Sequence, residues 1–155
     1  MNNIVRLTPD TPATTIGECD VTTSRLASFL EAAVIDFSID DDGDLYASDG
    51  LEFPAWIRVL SSKKLIMFFT YIEPDNDKDE GESEDWVARV NRMNTSIIAA
   101  QFHWHEKAVW GRFWLSYDGG LNVRQFIKLL RRFGGAFKAG IMLGHDDANV
   151  DVAGA

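Results

Sequence analysis

Two histidines, one cysteine and a run of aspartates are the residues whose types and spacing could do chemistry. His103-x-His105 places both imidazoles on one side of a strand, a geometry that can hold zinc. A third ligand would have to be His145, Cys19, Glu106 or a distant carboxylate, and none stands at a telling spacing. The pattern therefore predicts two histidines on a solvated strand face and no bound metal. A metal-binding sensor or enzyme built on His103 and His105 is the rival reading. Asp40-x-Asp42-Gly43, followed by Asp49, imitates part of a calcium loop, which needs acids around a glycine at its sixth position. Its first position is Ser38 and its last is Asp49, too short for the usual bidentate glutamate. The residues read instead as a plain β-turn. Cys19 has no histidine close in sequence to make it a thiolate. No nucleophile-elbow motif is present, and the glycines match neither phosphate-binding pattern. Gly134-Gly135 reads as a helix irregularity or a point of close packing. No catalytic residue and no cofactor are expected.

The aromatic residues carry more information. Residues 99–105 and 108–117 read as a hairpin turning at Glu106-Lys107. Pairing Trp104 with Trp110 sets Phe102 against Arg112 and Ala100 against Trp114, with all of them on one face. A register slip of one residue would undo that face. Tryptophan and arginine concentrate binding energy at interfaces. Trp104, Trp110, Arg112 and Trp114, flanked by the basic residues Arg124, Lys128 and Arg131, are therefore the candidate binding surface. A pocket for a small ligand on the same aromatic face is a further alternative.

These residues need elements to hold them. Leu26, Phe29, Leu30 and Ala33 form one helical stripe, with Thr22 or Thr23 as N-cap. Val34 to Ile39, Leu45 to Ala47 and Trp56 to Leu60 read as strands, with a turn at Asp40 to Asp44. Leu65 to Ile72 is apolar on both faces: Leu65, Met67, Phe69 and Tyr71 point one way, Ile66, Phe68 and Ile72 the other. Helices can cover one side; the other needs further helices or a second subunit. A second helix begins near Ser83, with Trp86, Val90, Met93 and Ile97 as its stripe. A final helix, capped by Asn122, buries Val123, Phe126, Ile127, Leu130, Phe133 and Phe137. Strands do not alternate singly with helices, so the fold class is α+β. The sheet is mainly antiparallel with helices packed on it, in the order α-β-β-β(-β)-α-β-β-α. The expected organisation is a loose N-terminal arm over 1–20, one domain over 21–143 and a frayed tail over 144–155.

Bulk composition agrees with one domain of 155 residues, 46% apolar and 25% charged. No apolar run is long enough to cross a membrane, and no basic start precedes an apolar stretch. With a single cysteine, the expected location is the cytoplasm. The net charge of −9 argues against nucleic acid and anionic lipid as partners. The charge is also divided. Residues 1–86 hold 19 acidic and 6 basic residues, whereas residues 87–155 hold 5 acidic and 9 basic. Seven of the acids crowd into 75–85, expected to be a solvated loop.

Asn91-Arg92-Met93-Asn94, then Phe102, Trp114-x-x-Tyr117-Asp118, Phe126-x-x-x-Leu130 and Phe133 have a cadence that resembles the YbjN family. So do Asp42-Gly43-Asp44-Leu45, Ile57-x-Val59 and Leu65-x-Met67-x-Phe69. The family's members are described as candidate bacterial sensory transduction regulators. The resemblance covers about residues 23–138. It implies a fold similar to the type III secretion chaperones and carries over no catalytic residues. Asn91 and Asn94 match its motif and read as hydrogen bonders at a helix end or between strands. The sum of these readings is a non-enzymatic, chaperone-like or regulatory protein-binding domain that forms a homodimer. The partner protein is not legible.

Overall fold

The computed structural model describes residues 14–74 and 83–146. Thr22 opens helix α1 (Thr23–Ala32), its hydroxyl accepting from the Arg25 N–H at 3.2 Å. This satisfies one of the donors that a helix start leaves unpaired. Leu26 and Leu30 are fully buried, with Phe29 and Ala33 packed at the margin. The helix ends by reversing at Val34, which takes a left-handed backbone (φ 58) and points outward. Val34 therefore belongs to a helix exit and not to the strand that its β-branched side chain suggests.

Four strands follow: β2 (Phe37–Ile39), β3 (Leu45–Ala47), β4 (Ala55–Leu60) and β5 (Leu65–Ile72), the last three as expected from the sequence to within one residue. The Asp40–Asp44 turn is closed by Gly43 at φ 81 and by Asp40 Oδ1, which accepts from the N–H groups of Asp42 and Asp44. Helix α2 (Ser83–Ser96) then crosses the sheet, and β6 (Gln101–His105) and β7 (Ala108–Ser116) form a hairpin. All neighbours in the six-stranded sheet are antiparallel, in the order β2-β3-β4-β5-β7-β6. Helix α3 (Val123–Asp146) closes the chain, with the Asn122 side chain accepting from the Gln125 N–H at 2.9 Å.

Two expectations about the ends need correction. The N-terminal arm is docked from Thr14 onward. Strand β1 (Thr15–Ile16) pairs with β8 (Leu121–Asn122), and Ile16 and Val21 are buried. At the other end α3 runs on to Asp146, with Gly144 buried against Met93. Residues 1–13 and 147–155 lie outside the described residues, as does the acidic run over 75–82.

All three helices sit on one side of the sheet. Phe68, at the middle of β5, packs its ring against Phe126 and Phe133 of α3 and against Phe113 of β7. Phe102 stacks on Phe137, and Trp104 on Trp86 of α2. Gly111 is small because Phe137 lies over it: a Cβ there would overlap the ring. Gly134 lets α3 approach the Phe53 carbonyl, which a Cβ would meet at 2.9 Å. This is the close-packing point read from the sequence.

Candidate interaction surfaces

No helix among the described residues covers the other side of the sheet, and aromatic side chains run across its middle. Strand alternation fixes its membership: Tyr46 on β3, Trp56 on β4, Met67, Phe69 and Tyr71 on β5, Trp110 and Trp114 on β7. Their rings form a chain across the strands. Tyr46 meets Trp56 at 4.7 Å, Trp56 meets Phe69 at 5.8 Å and Tyr71 at 5.7 Å, and Tyr71 meets Trp110 at 4.6 Å. His103 extends it onto β6, stacked on Trp110 at 6.3 Å. Such contacts are worth about 0.5–1.5 kcal/mol each beyond their area, so the strip is rigid before anything binds it. Tyr71 and Trp114 remain 38% and 42% exposed, large values for side chains of this size in the middle of a sheet.

The charges on this face are few. Arg58 lies over Phe69 and forks onto Asp44, donating from Nε to both carboxylate oxygens at 2.9 Å. Asp44 is buried, and the bidentate pair neutralises it. Arg112, opposite Phe69 and Gln101, is the cation on this face for which no carboxylate partner is found among the described residues. The Nε1 of Trp110 is enclosed without an acceptor among the described residues.

The binding surface expected from the sequence is dispersed by the structure. Trp110, Arg112 and Trp114 do share the open face. Trp104 does not: it pairs with Val109, and His103 takes the place opposite Trp110. The turn explains the slip. Glu106 and Lys107 form a tight two-residue loop, both with positive φ (49 and 61), which sets His105 against Ala108. The turn is the one expected, but with His105 against Ala108 every pairing falls one residue short of the expected Trp104–Trp110 register, which sends Trp104 to the helix side. Arg124, Lys128 and Arg131 are on α3, so they too lie on the helix side, across the sheet from the tryptophans.

His103 and His105 share one side of β6, on the open face with Trp110 and Arg112. Among the described residues they belong to no group of three candidate metal ligands. Burial, with Arg112 and then His105 nearby, pushes the His103 imidazole below its ordinary pKa. His105 is exposed and stands 3.5 Å from Glu106. No hydrogen bond joins either histidine to a hydroxyl or thiol among the described residues, so neither is set up as a base for a nucleophile. Asp40, Asp42 and Asp44 do converge, with oxygens within 4.8 Å of one another. Asp40 Oδ1 is already engaged by turn N–H groups and the Asp44 carboxylate by Arg58, as in the β-turn that the sequence predicts. Cys19 is exposed.

Asn94 has a structural task. Strand β6 is an edge of the sheet, and the Asn94 amide closes it. Nδ2 donates to the Phe102 carbonyl at 2.9 Å, and the Phe102 N–H donates to Oδ1 at 2.8 Å. An edge strand sealed in this way is a poor template for another chain. Asn91, the other half of the motif, is exposed on α2.

Among solved structures, the chain is similar to YbjN, a candidate transcription regulator from E. coli. The TM-score is 0.63 at 16% identity, over 87% of this chain and 96% of that one. The structural match shows a shared α+β fold, and at that identity the fold alone. No protein-family model matches the chain, and no curated protein matches it.

Proposed function

We propose that this chain is a non-enzymatic regulatory module that binds protein, and that it works as a homodimer joined through the open aromatic face of its sheet. The observation that carries this reading is the continuous ring chain from Tyr46 to Trp110 on a face that no helix of the described chain covers. A contiguous apolar patch of this kind marks an interaction site on a soluble domain. Strand rise and spacing give the face a footprint of roughly 600 Å². A standard interface takes about 800 Å² from each partner, so the patch and its rim suffice for one.

A second copy is the occupant that the chemistry favours. Once Arg58 and Asp44 have paired, Arg112 is the cation left on the face without a carboxylate among the described residues, so two like faces meet with one such charge on each to hold apart. A two-fold arrangement uses the same patch twice, and two sheets pack face to face about 10 Å apart through interdigitated side chains. Regulation as the broader role rests on the fold shared with YbjN, itself described as a candidate regulator.

Sedimentation velocity at micromolar concentration tests the reading. A dimer is expected for the native chain, and a folded monomer for Trp114→Glu or Tyr71→Arg, since both side chains are more than one-third exposed and can change without emptying the core. A native chain that stays monomeric throughout the micromolar range sinks it.

A further inference from the structure

The helix side of the molecule carries a second surface, independent of the sheet face. A groove of about 690 Å³ opens between α3, the segment joining α2 to β6, and the sheet. Its walls are Ile97, Ile98, Phe113, Leu129 and Ala136, with Arg132 at the rim. Ile98 is 98% exposed, which leaves a branched apolar side chain standing at the mouth, uncovered by the described residues.

Alongside runs a band of positive charge. Arg124, Lys128, Arg131 and Arg132 follow one another at i, i+4, i+7 and i+8 on α3, so they share one exposed strip of the helix. The helix contains no acidic residue before Asp146. Arg131 is steadied by donating to the Ala33 carbonyl at 3.0 Å. No carboxylate partner of Arg124, Lys128 or Arg132 is found among the described residues. Glu52, which also lines the groove, stands 4.0 Å from Lys138. A concentrated cationic strip on a chain of net charge −9 is a local exception to the molecule's own field.

We propose that the groove and strip together dock an acidic peptide of a partner protein, which inserts one apolar anchor residue between Ile98 and Ala136 and lays its carboxylates along Lys128, Arg131 and Arg132. The spacing fits. Alternate side chains of an extended peptide lie about 6.8 Å apart, and Lys128 and Arg132, four residues apart, are separated by about 6 Å along the helix, so two alternate carboxylates meet these two cations with Arg131 beside them. Charge complementarity of this kind supplies specificity and association rate, while the anchor supplies residence. A nucleic acid would use the cations but leave the isoleucine-lined groove empty, and the chain's overall charge would oppose it.

The test uses the full chain and a fluorescein-labelled ten-residue peptide of alternating Asp and Glu with one central Leu, followed by anisotropy. Saturable binding is expected. It should weaken about tenfold or more when the peptide's Leu becomes Ala, when Arg132 becomes Glu, or when Ile98 becomes Glu. Ile98→Glu cannot unfold the protein, because its side chain touches little. Binding should persist in Trp114→Glu, which separates this result from the dimer. Three outcomes overturn the proposal: no binding, equal binding of the Leu and Ala peptides or by the variants, and tighter binding of duplex DNA than of the peptide.

Discussion

At the scale of single residues, polar side chains here secure backbone more than they do chemistry. Asn94 is the clearest case, since its amide supplies both partners that the outer side of Phe102 lacks. Removing it leaves a donor and an acceptor at the edge of β6 without their partner, at a cost of about 1–3 kcal/mol. Asn94→Ala is thus expected to lower the urea midpoint with the slope unchanged. Asn94→Asp keeps the acceptor and should fall between the two; identical midpoints for all three proteins would show the amide to be idle. The sequence offered Asn91 and Asn94 as hydrogen bonders at a helix end or between strands, because they match a motif and lie on one helix face. The partner of Asn94 was not legible, since Phe102 lies beyond a turn whose path only the folded chain defines. Arg58 is similar: nothing in its surroundings in sequence announces the fork onto Asp44 fourteen residues earlier.

At the scale of elements, the β6–β7 hairpin decides more than any other. Glu106 and Lys107 both occupy left-handed backbone, which costs L-residues about 1 kcal/mol or more each. Asn-Gly is the pair suited to such a turn. Replacing Glu106-Lys107 by Asn-Gly is expected to raise stability by about 1 kcal/mol, the glycine's extra freedom in the unfolded chain offsetting part of the gain. A fall in thermal midpoint would mean that the native turn is held by contacts beyond its backbone. The same hairpin explains the misplaced aromatic face. The alternation of residues 99–117 was legible, and so was the turn. The register follows from that turn: closing it between His105 and Ala108 rules out the pairing of Trp104 with Trp110 that was expected beside it. Strand β1 escaped notice because two residues cannot show a period; it exists only because Leu121 and Asn122 lie beside it.

At the scale of the whole molecule, the sheet divides two surfaces, and pH should act on only one of them. Burial and the neighbouring Arg112 hold His103 below its ordinary pKa. An imidazole depressed by folding takes up its proton in the unfolded chain first. The contribution to stability is full above the unfolded value near 6.5 and declines as pH falls through it toward the folded value. A second copy seated over His103 deepens the same effect, since it removes more water from the ring and approaches Arg112 and His105. The dimer is therefore expected to dissociate several-fold more readily at about pH 5.5 than at about pH 7.5, and His103→Gln should flatten that dependence. Equal dissociation constants for native and variant chains at both pH values would detach His103 from the interface.

What the amino-acid sequence determined by itself is the inventory. The α+β class, the helix stripes, the caps at Thr22 or Thr23 and at Asn122, and the doubly apolar strand Leu65–Ile72 all follow from periodicities and end signals that operate within a few residues. What only the tertiary structure decided is which residues share a surface. Trp110 and Trp114 lie with Trp56 and Tyr71, Trp104 faces Trp86, and the basic helix belongs to the opposite side. The physical reason is that side chains alternate across a strand with a period of two, so a single step of register, set by one tight turn, exchanges the faces of a sheet while leaving every local pattern unchanged.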